Sequence, residues 1–193
     1  MIGAGVGALS AAGLGVAPFD VLLSAIDRRT PLSFGQGAWA VSGALFVGAA
    51  LFGARPTLRS VVFIVLNGFT IDIARHLIVA PDDLAVRAGL GAAGAAILVA
   101  GVATVIHHAA AGGPFESVMT AAQHHGRDPG RVRTALELGA LVVGAASGGS
   151  FGPMTVLIAL SMGPAINFGL QAFADHQHGR DYRLGLAGPE GAA

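Results

Sequence analysis

The 193-residue sequence is 53% hydrophobic and 11% charged, with a mean hydropathy of +0.69, whereas a soluble domain carries about 25% charged residues. Eleven arginines and no lysine balance 11 acids, so the basic footprint of a nucleic-acid binder is missing. The absence of cysteine excludes disulfides and thiolate metal sites.

Met1 to Leu14 has no basic region ahead of its apolar residues, which argues against a cleaved signal peptide. It reads as a short first span in which Gly3 and Gly7 sit one turn apart, a spacing that lets membrane helices approach closely. Gly13, Gly15 and Pro18 break it. Pro18 suits the first turn of a new helix, where its missing N–H would be unpaired anyway. That helix carries Asp20 in its first turn and ends near Asp27, before Arg28, Arg29, Thr30 and Pro31. A dozen residues rise about 18 Å, against a hydrocarbon core of about 30 Å. The helix is therefore expected to be re-entrant or interfacial.

Phe34 to Gly53 is the second span and Thr57 to Leu77 the third, with Asn67 and Asp72 inside it. Residues 79–87, with Pro81, Asp82 and Asp83, form a polar linker. Ala88 to His108 gives the fourth span, uncharged from Ala88 to Ile106. A second break at Gly112, Gly113 and Pro114 opens a second short helix, which reaches Gln123. Gly130 to Ala146 is the fifth span and carries Arg131, Arg133 and Glu137; Pro153 to Ala174 is the sixth and carries Asn167. No charge occurs between Leu138 and Ala174. Soluble helices keep a polar face, and these runs have none. From 175 to 193 the chain is polar and Gly-rich, with the character of a frayed tail.

The two halves repeat. Gly139 to Ala146 matches Gly43 to Ala50 at every position but Phe46 against Val142, an offset of 96 residues. At that offset Pro18, Phe19 and Asp20 fall on Pro114, Phe115 and Glu116; with one residue deleted, Gly68 and Asp72 fall on Gly163 and Asn167. Three matches in one order indicate an internal duplication. The expected fold is all-α: a polytopic membrane protein of six transmembrane helices in two three-span repeats, 1–78 and 88–174, each with one short Pro-led helix. An odd number of crossings inverts the second repeat, as in many secondary transporters. Inversion leaves seven arginines on one side against Arg28, Arg29, Arg75 and Arg87 on the other. If the short helices crossed, the repeats would be parallel and only Arg55 and Arg59 would lie outside, a stronger positive-inside bias. The length limit favours inversion. Both arrangements place the C-terminus in the cytoplasm.

The sequence Gly130, Arg131, Val132, Arg133, Thr134, then Glu137, Gly144, Gly148, Gly149 and Gly152, Thr155 and Gly163, Pro164 resembles the second half of the YczE family of bacterial integral membrane proteins, relatives of the YitT type. Leu14 to Leu22 and the Arg28, Arg29, Thr30 helix end resemble its first half, so the likeness covers about residues 1–172. Two departures are a shorter apolar stretch before the first Gly-rich segment, as if the sequence started late, and Gly152, Pro153, Met154, Thr155 in place of Gly, x, Gly, Thr. The resemblance implies a multi-pass protein of the bacterial inner membrane, with a transport role and no assigned substrate.

An ionisable residue at membrane depth marks a functional site by default. Asp20 and Glu116 are such residues, but a carboxylate in a first turn can also serve its own helix N-terminus. Asp72 needs a partner if it lies deep, with Asn67, Arg131 or Arg133 as candidates; otherwise it is interfacial beside Arg75. Arg133 and Glu137 form an i, i+4 pair on one helix face or line a central cavity where Arg133 meets an anionic solute. His107, His108, His124 and His125 are adjacent pairs that point to different sides of a helix and lack carboxylates at metal-ligand spacing, so no metal is expected. His176 and His178 belong to the tail, where metal binding would be incidental. No phosphate-binding glycine loop or cofactor motif occurs.

These features favour a transporter moving a small solute, bound near the two helix breaks at Gly15, Pro18, Gly113 and Pro114 by Asp20, Glu116, Asp72, Asn67, Asn167, Arg133 and Glu137. The alternative is a membrane scaffold or accessory subunit that assembles with itself or a partner membrane protein through Gly/Ala faces. A membrane-embedded enzyme is disfavoured, since no nucleophile and base arrangement is visible. The lipid bilayer is the expected surrounding, with no nucleic acid.

Overall fold

A computed structural model describes residues 1–54, 56–107 and 113–161, all helix, turn or irregular chain without a strand. Seven helices lie within these bounds: α1 (Ile2–Ala12), α2 (Pro18–Arg29), α3 (Phe34–Leu51), α4 (Leu58–Leu77), α5 (Leu84–His107), α6 (Pro114–His124) and α7 (Pro129–Ala146). An eighth, α8, is described over 153–161. Arg55, His108, Gly112, Asn167, His176, His178, the rest of the sixth expected span and the tail lie outside the described residues.

Local chemistry sets the boundaries. Ser33 and Gln36 form a capping box at the start of α3 (Ser33 Oγ accepts from Gln36 N–H at 3.1 Å, Gln36 Oε1 from Ser33 N–H at 3.0 Å). Thr57 caps α4 and Asp128 caps α7 through Arg131 N–H. Pro18 and Pro114 occupy first-turn positions of α2 and α6. The linker is shorter than the sequence suggests, because Asp83 accepts from Val86 N–H at 2.9 Å and starts α5 at Leu84 instead of Ala88.

Among the described residues, three helices are long and apolar enough to cross a bilayer: Phe34–Leu51, Leu58–Leu77 and Leu84–Val105. Together they mark a membrane protein. α1 is apolar but has 11 residues, about 16 Å of rise and too short to cross alone. α7 has 18 residues but includes Arg131, Arg133 and Glu137.

Packing is inverted relative to a soluble protein. Leu58, Val62, Leu66, Phe69, Ile73 and Leu77 expose one continuous apolar stripe of α4, while Ser60, Ile64, Gly68 and Ile71 are buried. Stripes of this kind meet lipid, and small residues let helix backbones approach one another. α1 packs against α4 and α5 in this way. A Cβ on Gly3 would strike Thr70 and Ile71 of α4, one on Gly7 would strike Ala74, and one on Gly5 would strike Leu98 of α5. Trp39 of α3 fills the space over Gly68 and donates to the carbonyls of Ile64 and Val65 at 3.2 and 3.3 Å.

The remaining packing exchanges the two halves: α2 lies on α7 and α3, and α6 lies on α3 and α7. Val6, Leu9, Val16, Val21, Leu23, Phe34, Ile71, Leu98 and Ile158 form the common core. The segment between α1 and α2 runs inward as buried chain through Val16 and Ala17. It is held by Val16 N–H to Ser150 O and Met154 N–H to Leu14 O. Gly15 permits this course with φ of 109°, pressed against Thr155 and Gly152.

Candidate functional site

The position of α2 follows from its two ends. Arg75 donates to Ser10 Oγ in the last turn of α1 at 3.0 Å and to Asp27 Oδ2 in the last turn of α2 at 2.9 Å. One guanidinium therefore touches both helix ends. The chain leaves α1, passes inward through residues 13–17, and α2 brings it back to the level it left. α6 ends elsewhere, with His125 edge-on to Phe52 at the far end of α3 (ring centroids 5.7 Å apart). α3 has 18 residues, about 27 Å of rise, and separates the two levels. The starts of α2 and α6 meet between them, where Phe19 and Phe115 pack edge to face with centroids 4.9 Å apart. The two short helices run N-terminus to N-terminus.

A cavity of about 840 Å³ opens at this meeting point, within the range of small-molecule sites. Its walls are largely apolar, with Val6, Leu23, Ile64, Ile71, Leu98, Phe19 and Phe115 among them. Polar groups enter from five helices, among them Asp20 from α2, Ser42 from α3, Asn67 from α4, and Glu116 from the first turn of α6. Arg133, Thr134 and Glu137 of α7 complete the lining.

Asp20 is 8% exposed and Ser42 4% exposed, yet neither side chain hydrogen-bonds to protein among the described residues, and no buried polar atom is sealed from all partners. Their free polar atoms therefore face the cavity. Burying a polar group without a partner costs free energy. Asp20 does not cap α2: its N-cap is Ala17, which offers no side-chain bond. The Asn67 side-chain amide is likewise unpartnered among the described residues.

Glu116, Arg133 and Glu137 form a chain of charges. Arg133 Nε donates to Glu137 Oε1 at 3.0 Å, and its Nη1 lies 3.9 Å from Glu116 Oε1. The helix-face pair and the cavity-lining role thus coexist. Glu116 curls back over Gly113, where a Cβ would stand 2.6 Å from its Oε2, so a glycine at the second break gives this carboxylate room. Pro18, Gly113 and Pro114 line the same cavity.

Asp72 lies outside it. Its Oδ2 accepts from Ser33 Oγ at 2.5 Å and its Oδ1 from Gly35 N–H at 2.8 Å, so the carboxylate serves the free N-terminus of α3. Its partners are neither Asn67 nor an arginine of α7, because the first turn of α3 lies nearer. Gly15 lines a separate polar pocket of about 280 Å³ with Ser24, Asp27, Arg28 and Arg75. The sequence signals Ser42 only as a hydroxyl isolated between Ala38 and Phe46 in an apolar helix.

Residues 1–171 match the family described as a family of unknown function, DUF6198. No curated protein and no solved structure matches the chain.

Proposed function

From a chain that belongs to DUF6198, a family of unknown function, we propose a secondary transporter of the bacterial inner membrane that binds a small solute in the cavity between α2 and α6. The observation that carries this reading is Asp20, buried, unpartnered among the described residues and facing a cavity where two broken helices meet at their N-termini. Discontinuous helices whose first turns converge on one site are how many transporters hold their cargo. The YczE-like Pro-led motifs point the same way.

Two inverted repeats of three spans, with a cytoplasmic C-terminus, accommodate this geometry. Exchange of the halves turns α2 on α7 into α6 on α3, and both pairs pack. Parallel repeats give a better arginine count but require α1 and α2 to end on opposite sides, whereas Arg75 bonds to both ends. Glu116, Arg133, Glu137 and Asn67 complete the solute site.

The test is flux in liposomes containing the purified full chain, measured across a panel of labelled cations, anions and neutral solutes. Uptake of one class that Asp20→Asn reduces at least tenfold supports transport through this cavity. No uptake of any class, with a second membrane protein co-purifying in fixed ratio, supports the scaffold reading instead.

A further inference from the structure

We infer that the cavity selects a soluble organic cation, a protonated or quaternary amine carried on an apolar body. This rests on the reading of the cavity as a solute site and adds the chemical class of the solute. Three carboxyl groups, Asp20, Glu116 and Glu137, line the cavity with one guanidinium, that of Arg133. Arg133 is already engaged, at 3.0 Å by Glu137 and at 3.9 Å beside Glu116, so an anionic solute would meet no free cation among the described lining residues. The positive N-terminal ends of α2 and α6 are each matched by an acidic residue in the first turn. Asp20, at the start of α2, has no hydrogen-bond or ion-pair partner among the described residues and is 8% exposed.

The surroundings of Asp20 favour an organic ion over a metal. About 840 Å³ of largely apolar volume far exceeds one hydrated ion, and no group of three or more metal-ligating residues occurs among the described residues. Metal cations of the alkaline-earth type take six or more oxygen ligands. The Phe19 and Phe115 rings, packed edge to face, line the same cavity as Asp20, and aromatic faces attract ammonium groups. Ser42 and Asn67 offer neutral oxygen acceptors for any N–H the cation carries. A zwitterionic lipid headgroup fits poorly, since its phosphate would enter among the carboxyl groups with Arg133 already paired.

The experiment measures equilibrium binding of tetraphenylphosphonium and of tetraphenylborate, two ions of similar shape and opposite charge, to the purified full chain in detergent. The expected result is saturable tetraphenylphosphonium binding, weakened at least tenfold by Asp20→Asn and retained by Asp20→Glu, with tetraphenylborate bound no better than to empty micelles. The comparison of ions needs no variant, so it stands even where Asp20→Asn folds poorly. Equal binding of both ions, or tetraphenylphosphonium binding that a folded Asp20→Asn leaves unchanged, overturns the assignment. Binding without flux in liposomes supports the cation site and counts against transport. Flux of a neutral or anionic solute without tetraphenylphosphonium binding keeps transport and overturns the cation class.

Discussion

Removing the Asp72 carboxylate separates architecture from solute binding. Asp72 accepts two hydrogen bonds from the first turn of α3, from Ser33 Oγ at 2.5 Å and Gly35 N–H at 2.8 Å. Bonds to a charged acceptor contribute roughly 1.5–3 kcal/mol each. Both lie in a partly buried position, where water replaces part of what is lost. Asp72→Ala is therefore expected to destabilise the protein by about 2–4 kcal/mol. Asp72→Asn keeps an amide oxygen for Gly35 N–H and exchanges the charged acceptor for a neutral one, which costs about 1 kcal/mol. Unfolding by sodium dodecyl sulfate titrated into mild-detergent micelles measures both. Neither variant should change tetraphenylphosphonium affinity more than twofold. A stable Asp72→Asn protein that no longer binds or transports would place Asp72 at the solute and refute its assignment as a cap.

Gly48 and Gly144 occupy matching positions in the duplicated octapeptide but different surroundings. A Cβ on Gly144 would strike the backbone of Val21 and Leu22, whereas one on Gly48 meets nothing within 4 Å. Gly144→Ala should cost about 1–3 kcal/mol through overpacking, while Gly48→Ala should stabilise by up to about 1 kcal/mol through helix propensity; the same titration reads both. Gly15→Ala combines a strained φ of 109° with contact against Thr155 and Gly152, and should lose more than about 2 kcal/mol. Single cysteines in place of Thr30 and Arg127, both exposed at the ends of the short helices, should react with an impermeant thiol reagent from opposite sides of the membrane. Labelling from one side would restore the parallel arrangement.

The parts of this fold that follow local rules are legible in the sequence. Pro18 and Pro114 mark the helix starts because proline acts on its own residue, and the twelve-residue limit on α2 needs only the rise of a helix. Asp20 and Glu116 emerge as partners because the duplication aligns them, and they do line one cavity. Asp72 misleads for the opposite reason. Its role depends on Ser33 and Gly35, nearly forty residues away, and an acceptor for another helix leaves no trace in the spacing of its own. Ser42 is hidden because one hydroxyl in an apolar helix looks the same whether it faces lipid, core or cavity. Asp83 reads as one more linker acid until Val86 N–H is seen to bond to it.

The seat of α1 constrains the order in which the chain can be assembled. Its neighbours are α4 and α5, and its last carbonyls, Ala12 O and Gly13 O, accept from Arg87 at 2.7 and 3.0 Å. None of these partners exists when α1 leaves the ribosome. At about 5–20 residues per second, α1 waits several seconds for α5 to be made. Until then the face of Gly5, shaped for α5, has nothing to close against. α1 is thus seated only after α5 has been made, and Arg87 is the residue that fastens it.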